Sequence, residues 1–282
     1  MKTILKIVGF LLLVVSFSAC DVIDNPIKEG GSRPPIDTNV VVRKVLIEDF
    51  TGHQCKNCPN AAEEIHKLQG IYGDNVIGIA IHAGPSNFTG TNADYPTDYR
   101  TPEGNQIGVF FYGSISGISL PSGMVSRINY PTSHIKSYTS WPAIATGLLD
   151  SIPHIKLKAT VAYNAADSSA TVDVEATALK DFTDDLKFVV MITESDIVSP
   201  QLMPDGSRNV NYVHQHVLRK AFTQALGDDL ALSPITATSV LTKQITGTVS
   251  SAWVAANCDI VVYVYNERTK EVLQAEQVHL IP

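Results

Sequence analysis

Two cysteines separated by two residues give this sequence its clearest chemistry. Cys55 and Cys58 lie in the segment CKNCP, directly before a stretch with helical periodicity. A pair with this spacing at a helix N-terminus can close a small disulfide, and the helix dipole favours the reactive thiolate there. The first cysteine of such a pair is normally the more exposed nucleophile, and the second resolves the mixed disulfide. We assign these roles to Cys55 and Cys58 respectively.

Two other interpretations of the pair stay open. A CxxC can be half of a zinc site, but a second CxxC is absent from the sequence, and the spacing of His53, His66 and His82 does not select them as ligands. An exported CxxC can also be a structural disulfide that never exchanges. His214 and His216 alternate on a predicted strand and would share a face, without a third ligand. We therefore predict no metal and no cofactor.

The elements around the pair predict a βαβ unit. Val40–Phe50 and Asn75–His82 read as strands because β-branched and apolar residues dominate them. Between them, Asn60–Tyr72 carries apolar residues at helical spacing, and Pro59 fits the first helical turn. The helix therefore begins at the CxxC.

Three further elements complete the first half of the chain. Gly84–Arg100 is a polar insertion that we expect to form a loop near the CxxC. Thr101 is a candidate N-cap for a helix that runs to Tyr112, and Trp141–Asp150 predicts a closing helix.

After Ile152 the periodicity changes to that of strands. Seven short strands separated by polar turns favour a β-sandwich of immunoglobulin-like type. Cys258 begins an apolar strand and is expected to be a buried, inert thiol. The predicted strands are Ile155–Tyr163, Ala170–Ala178, Leu186–Thr193, Asn211–Phe222, Ser239–Val249, Asp259–Asn266 and Glu271–Leu280.

The N-terminus is typical of a lipoprotein signal. Lys2 and Lys6 precede the apolar run Ile7–Phe17, which is shorter than a membrane-spanning helix requires. Ser18-Ala19 then places small residues before Cys20, which predicts a signal peptide over residues 1–19 and lipid attachment at Cys20. An ordinary secreted protein and an N-terminal membrane anchor are the alternatives. Residues 20–40, rich in Gly, Pro and charge, predict a flexible tether.

Composition excludes several classes of protein. Hydrophobic residues make up 44% and charged residues 17% of the 282 residues, which argues against disorder, collagen and coiled coil. The formal net charge of −7 and the absence of a basic patch argue against nucleic acid as a partner. Four cysteines are too few for a disulfide scaffold.

The segment Phe50–Cys58 (FTGHQCKNC) resembles the active-site segment of thioredoxin-like proteins. That resemblance implies a cis-proline at the start of a later strand, packed beside the CxxC. Pro121 precedes the predicted strand Ser122–Asn129 and is the candidate, with Leu120 as the residue whose backbone would pair with a bound peptide. Gln54 stands where tryptophan is common, and Lys56-Asn57 replaces Gly-Pro, so the redox potential does not carry over.

The whole mature chain resembles the 28-kilodalton outer-membrane-protein family of Gram-negative anaerobes. The resemblance implies a thioredoxin-like domain over residues 41–151, a β-sandwich over residues 152–282 and an outer-membrane lipoprotein. The matching segments are Glu48–Pro59, Asn60-Ala61-Ala62, Tyr99–Gly104, Pro121–Arg127, Tyr212–Arg219 and Glu271–Ala275.

Two functions follow as expectations, and the sequence leaves open whether the protein is an enzyme. In the first, Cys55 and Cys58 exchange disulfides with exported proteins. Reductive turnover outside the cytoplasm would need a partner that supplies electrons. In the second, the protein is a surface lipoprotein that binds a protein, peptide or glycan, and the CxxC is a static disulfide. In both, the lipid anchors it to the outer membrane, facing the periplasm or the cell surface.

Cys20→Ser should abolish lipid attachment, because the thiol is the acylated group. We expect the variant to leave the detergent phase in a two-phase partition and to lose metabolic labelling with a radioactive fatty acid, whereas Cys258→Ser should keep both. Continued labelling of Cys20→Ser would contradict the lipoprotein assignment.

Overall fold

The computed structural model describes residues 41–281. In it the predicted βαβ unit is confirmed. Strand β1 (Val45–Phe50) pairs in parallel with β2 (Val76–Ile81), and helix α1 (Cys58–Tyr72) connects them. Strand β3 (Ser122–Val125) lies antiparallel on the other side of β1. All six residues of β1 are buried, as expected for a strand covered on both faces.

Three more helices follow. They are α2 (Ser86–Thr89), α3 (Pro102–Tyr112) and α4 (Trp141–Leu149). Thr101 caps α3 as predicted, because its hydroxyl oxygen accepts a 2.9 Å hydrogen bond from the backbone N–H of Gly104. Helices α1 and α4 cover one face of β1 with a core that includes Ile65, Leu68 and Trp141. No helix in the described range 41–281 has the length and apolar character to cross a membrane.

The second half of the chain consists of strands. They are β4 (Ile155–Asn164), β5 (Ser169–Ala178), β6 (Leu186–Glu194), β7 (Ile197–Val198), β8 (Gln201–Leu202), β9 (Arg208–Asn209), β10 (Val213–His214), β11 (Val217–Ala221), β12 (Asp228–Ala231), β13 (Val240–Thr248), β14 (Cys258–Asn266) and β15 (Val272–His279). The short strands β7, β8, β9 and β12 lack a sequence pattern strong enough to predict them.

One sheet joins the two halves. Its order is β15-β14-β6-β11-β2-β1-β3, with β12 also paired to β6. The junction is the parallel contact of β11 with β2, in which Val217 lies opposite Ala80 and the N–H of Ala80 donates to the carbonyl of His216. Strands from both sides of the predicted boundary at residue 151 therefore share one hydrogen-bonded sheet.

A smaller sheet packs over part of the large one. Strands β13, β5 and β4 form it, and the alternating buried residues of β4 and β5 meet the buried faces of β6 and β14. Val172, Val174, Ile192 and Val262 are among the fully buried residues between the two layers. The immunoglobulin-like topology is not confirmed, because the larger of the two layers continues through β11 into the β1–β3 region.

The predicted strand Asn211–Phe222 is interrupted. His214 ends β10, and β11 begins at Val217. Between them His216 has a φ of 55°, in the left-handed region that breaks strand alternation. The prediction that His214 and His216 share a face is therefore wrong.

A buried ion pair ties β1 to β14. The Arg127 guanidinium donates to both carboxylate oxygens of Glu48, at 2.7 and 2.6 Å, and to the hydroxyl oxygen of Tyr263 at 2.7 Å. Arg127 is 1% exposed and Glu48 is fully buried. Burial removes water from both charged groups. The bidentate geometry and the third acceptor replace most of the hydrogen bonds that water would make.

Arg127→Met should destabilise the protein by about 3–5 kcal/mol, because it leaves the Glu48 carboxylate buried without its partner. The double variant Arg127→Met/Glu48→Leu should recover much of that loss, since it buries no charge. Urea unfolding followed by circular dichroism measures both. A double variant as unstable as Arg127→Met alone would show that the loss comes from packing and not from the stranded charge.

Candidate functional site

Cys55 and Cys58 form a disulfide at the N-terminus of α1. Both are buried, with 3% and 2% of their surface exposed. Neither cysteine is exposed as expected of a nucleophile, because parts of the chain distant in sequence cover the CxxC.

The turn before the disulfide is held by the polar insertion. A Cβ on Gly52 would lie 2.5 Å from the carbonyl oxygen of Phe88, so only glycine allows this approach. The backbone N–H of Gln54 donates to that same carbonyl at 3.0 Å, and the His53 ring contacts the carbonyl of Gly90 at 2.8 Å. The predicted placement of Gly84–Arg100 beside the CxxC is confirmed.

A hairpin arm from the second half covers the same turn. The arm (residues 197–214) leaves the large sheet after β6 and contains the pairs β7–β10 and β8–β9. Gln201 donates through Nε2 to the carbonyl of Cys55 at 3.2 Å, and the backbone N–H of Leu202 donates to the carbonyl of His53 at 2.9 Å. The arm therefore accounts for much of the burial at the disulfide.

A buried carboxyl lies near Cys58. Asp49 on β1 is 1% exposed, and within residues 41–281 its Oδ1 has no hydrogen-bond partner. Asp49 and Cys58 line one narrow cavity of about 30 Å³. Burial raises the pKa of Asp49 from 3.8 to about 8, so the carboxyl is largely protonated at neutral pH. Sequence reasoning missed this residue, although an acid inside the apolar run VLIEDF is a visible signal.

Pro121 and Leu120 lie at the end of the sheet from which the CxxC turn departs. The Leu120–Pro121 peptide bond is cis, and the next residue, Ser122, pairs with Phe50 at the end of β1. Both residues are half-buried, and the Leu120 side chain packs against the backbone of Gly84. The cis bond agrees with the expectation from the resemblance, and the roles of Pro121 in catalysis and Leu120 in substrate binding stay predictions.

Three histidines surround a buried tyrosine behind the turn. The ring of Tyr99 lies 4.7 Å from that of His82, 4.9 Å from that of His214 and 5.8 Å from that of His53, measured between centroids. Burial lowers the pKa of all three histidines, that of His214 to about 4, so they are neutral at pH 7.

This histidine cluster does not form a metal site. In the part of the chain that the structure describes, no group of three His, Cys, Asp or Glu side chains is placed to hold a metal ion. His66 and His216 lie away from the cluster, on the groove along α1, where His216 contacts the Gln69 side chain at 3.2 Å.

The remaining cysteines lie apart from this site. Cys258 is 1% exposed, and burial raises the pKa of its thiol to about 12, which confirms the expected buried thiol. The predicted lipid-attachment residue Cys20 lies outside the described residues.

Comparison with solved structures gives the fold a relative. HBP35 of Porphyromonas gingivalis aligns with a TM-score of 0.63 and 17% identity, over 86% of this chain and 76% of that one. A domain of the outer membrane lipoprotein Omp28 from the same organism aligns with a TM-score of 0.32 and 20% identity, over 46% of this chain and 90% of that one. A search of curated proteins gave no match.

A family model places the chain by sequence. The model described as outer membrane protein Omp28 matches residues 111–281, which is more than half of the chain. The match runs from the end of α3 through β15 and so includes the cis-proline, the arm and the junction strand β11. The chain belongs to the Omp28 family of outer membrane proteins.

Proposed function

We propose that this protein is an outer-membrane lipoprotein, anchored through Cys20, whose Cys55–Cys58 pair carries out thiol–disulfide exchange. The unit that carries the pair is residues 41–151, a thioredoxin-like arrangement of β1, α1, β2 and β3 with Pro121 in cis. Residues 152–282 supply the second layer and the arm.

The observation that carries the proposal is the buried carboxyl of Asp49. A disulfide that only stabilises the fold gains nothing from a buried carboxyl, and burying one costs free energy. Exchange does need such a group, because each cysteine takes up a proton when the disulfide is reduced. A carboxyl with a pKa of about 8 can deliver and recover a proton near neutral pH. Asp49 shares a cavity with Cys58 and is the group placed to do so.

The second candidate is a binding lipoprotein with a static disulfide. It is favoured by the cover over the CxxC, because Gln201 and Leu202 occupy the backbone acceptors of the turn that a bound peptide would need. In that case Leu120 and Pro121 have no substrate to hold, and the binding partner meets another surface.

Cys55→Ser and Cys58→Ser separate the two candidates. Exchange requires both sulfurs, so each variant should lose the oxidation of a dithiol peptide that the wild type performs. Cys258→Ser should retain it, since that thiol is buried away from the site. If the wild-type protein neither oxidises dithiols nor reduces disulfides at any redox potential of the assay, the disulfide is static.

Asp49→Asn should change how the free energy of unfolding depends on pH, and the direction of that change follows from the raised pKa of Asp49. Between pH 4 and 8 the unfolded chain gives up the Asp49 proton and the folded chain keeps it, so wild-type stability falls as pH rises. Asparagine does not titrate. The stability of Asp49→Asn relative to wild type should therefore increase by up to about 1.4 kcal/mol per pH unit and level off above pH 8.

Urea unfolding at pH 5, 6.5 and 8 measures this difference, with the exposed Asp150→Asn as the matched control. The same variant should slow dithiol oxidation at pH 7. A pH-independent difference in stability would contradict a buried, protonated Asp49.

A further inference from the structure

Where the arm is bonded to the CxxC turn, a macromolecule cannot meet the disulfide without displacing part of the fold. The Gln201 side chain and the Leu202 backbone are bonded to the CxxC turn, and Thr97 and Ser199 join the insertion to the arm through their hydroxyls at 3.0 Å. The route to the sulfurs must therefore be sought elsewhere.

A narrow cavity between α1 and the arm reaches Cys58. Among the residues described, Cys58 lines the cavity of about 30 Å³ that it shares with Asp49, and Cys55 does not. This volume holds a group the size of a water molecule or a sulfhydryl, and not a peptide backbone.

A larger groove adjoins the cavity. The α1 groove lies between α1 and the arm and has a volume of about 550 Å³, within the range of small-molecule sites. Pro59 and Ala62 from the helix and Tyr212 from the arm line both spaces, so the two are adjacent. The groove is lined mainly by apolar surface. The buried Asp49 reaches both spaces, and its unpartnered Oδ1 is a polar group available to an occupant.

We infer that the exchange partner of this disulfide is a low-molecular-weight thiol, which enters through the α1 groove and attacks Cys58. This inference rests on the proposed function and differs from the expected pattern in the sulfur attacked and in the size of the partner. The apolar lining and the narrow end favour a small organic monothiol over a protein thiol.

The reaction balances with two equivalents of this thiol. The first, as thiolate, attacks Sγ of Cys58; the bond to Cys55 breaks, and Cys55 leaves as a thiolate that takes up a proton. The second attacks the external sulfur of the mixed disulfide, which releases the oxidised small disulfide and the Cys58 thiolate. Asp49 protonates that thiolate and regains the proton given up by the incoming thiol. Two thiols are oxidised and one protein disulfide is reduced.

A tryptophan in the groove tests the route. Ala62→Trp fills the space between Pro59 and Tyr212, and we expect it to slow reduction of the full chain by 2-mercaptoethanol about 10-fold, since entry is blocked. Lys67→Trp, on an exposed position of the same helix, is the matched control and should leave the rate unchanged. Thermal unfolding of both variants checks that the fold persists. Tyr212→Ala widens the same passage and should accelerate the reaction.

Trapping identifies the sulfur. Acid quenching followed by peptide mass spectrometry should find the 2-mercaptoethanol adduct on Cys58. An adduct on Cys55, an unchanged rate in Ala62→Trp, or equal reactivity toward a reduced, unfolded protein would overturn the groove route while exchange itself stands. A folded wild type whose disulfide resists both 2-mercaptoethanol and dithiothreitol would instead overturn the proposed function.

Discussion

The fold depends on one buried charge contact, that between Arg127 and Glu48. Glu48 lies in the centre of β1, and Arg127 follows β3, the antiparallel neighbour of β1. The third partner, Tyr263, belongs to β14, far along the chain. Three segments are thereby fixed to one point, and the guanidinium also lies over the rings of Phe111 and Tyr263. Because a buried charge tolerates no loosening of its partners, this contact sets the position of β1, and β1 leads into the CxxC turn.

Two features of the disulfide site cost folding free energy that a purely hydrophobic site would not lose. One is the buried carboxyl of Asp49, which lines the same cavity as Cys58. The other is the use of the arm to cover the turn, which consumes backbone donors and acceptors that a ligand could use. Natural sites keep such costs where chemistry requires them. A covered disulfide that shares a narrow cavity with a buried carboxyl is suited to the proposed exchange with small thiols.

Local features of this fold could be predicted from the sequence, and long-range ones could not. Helix α3 was predicted to its first residue because Thr101 and Pro102 are capping signals that act within one turn. The cis bond at Pro121 followed from the resemblance of the CxxC segment. The parallel contact of β11 with β2 could not be predicted, since nothing local in Val217–Ala221 indicates its partner. The arm could not be predicted for the same reason, because its two-residue strands are too short to show a hydrophobic periodicity.

The site was predicted in composition but not in exposure. Cys55 and Cys58 were found from spacing alone, whereas their burial depends on Gln201 and Leu202, which contact the turn across about half of the chain. The interruption at His216 is of the same kind, because a positive φ is uncommon for a residue other than glycine and the local sequence does not indicate it.

The shared sheet has a consequence for the order in which the chain folds. Strand β2 receives its outer neighbour, β11, only after the chain has emerged as far as Val217. Until then the βαβ unit presents a bare strand edge with unpaired backbone groups, which is a template for pairing with other chains. Until the second half of the chain is available, folding of the N-terminal half therefore competes with aggregation.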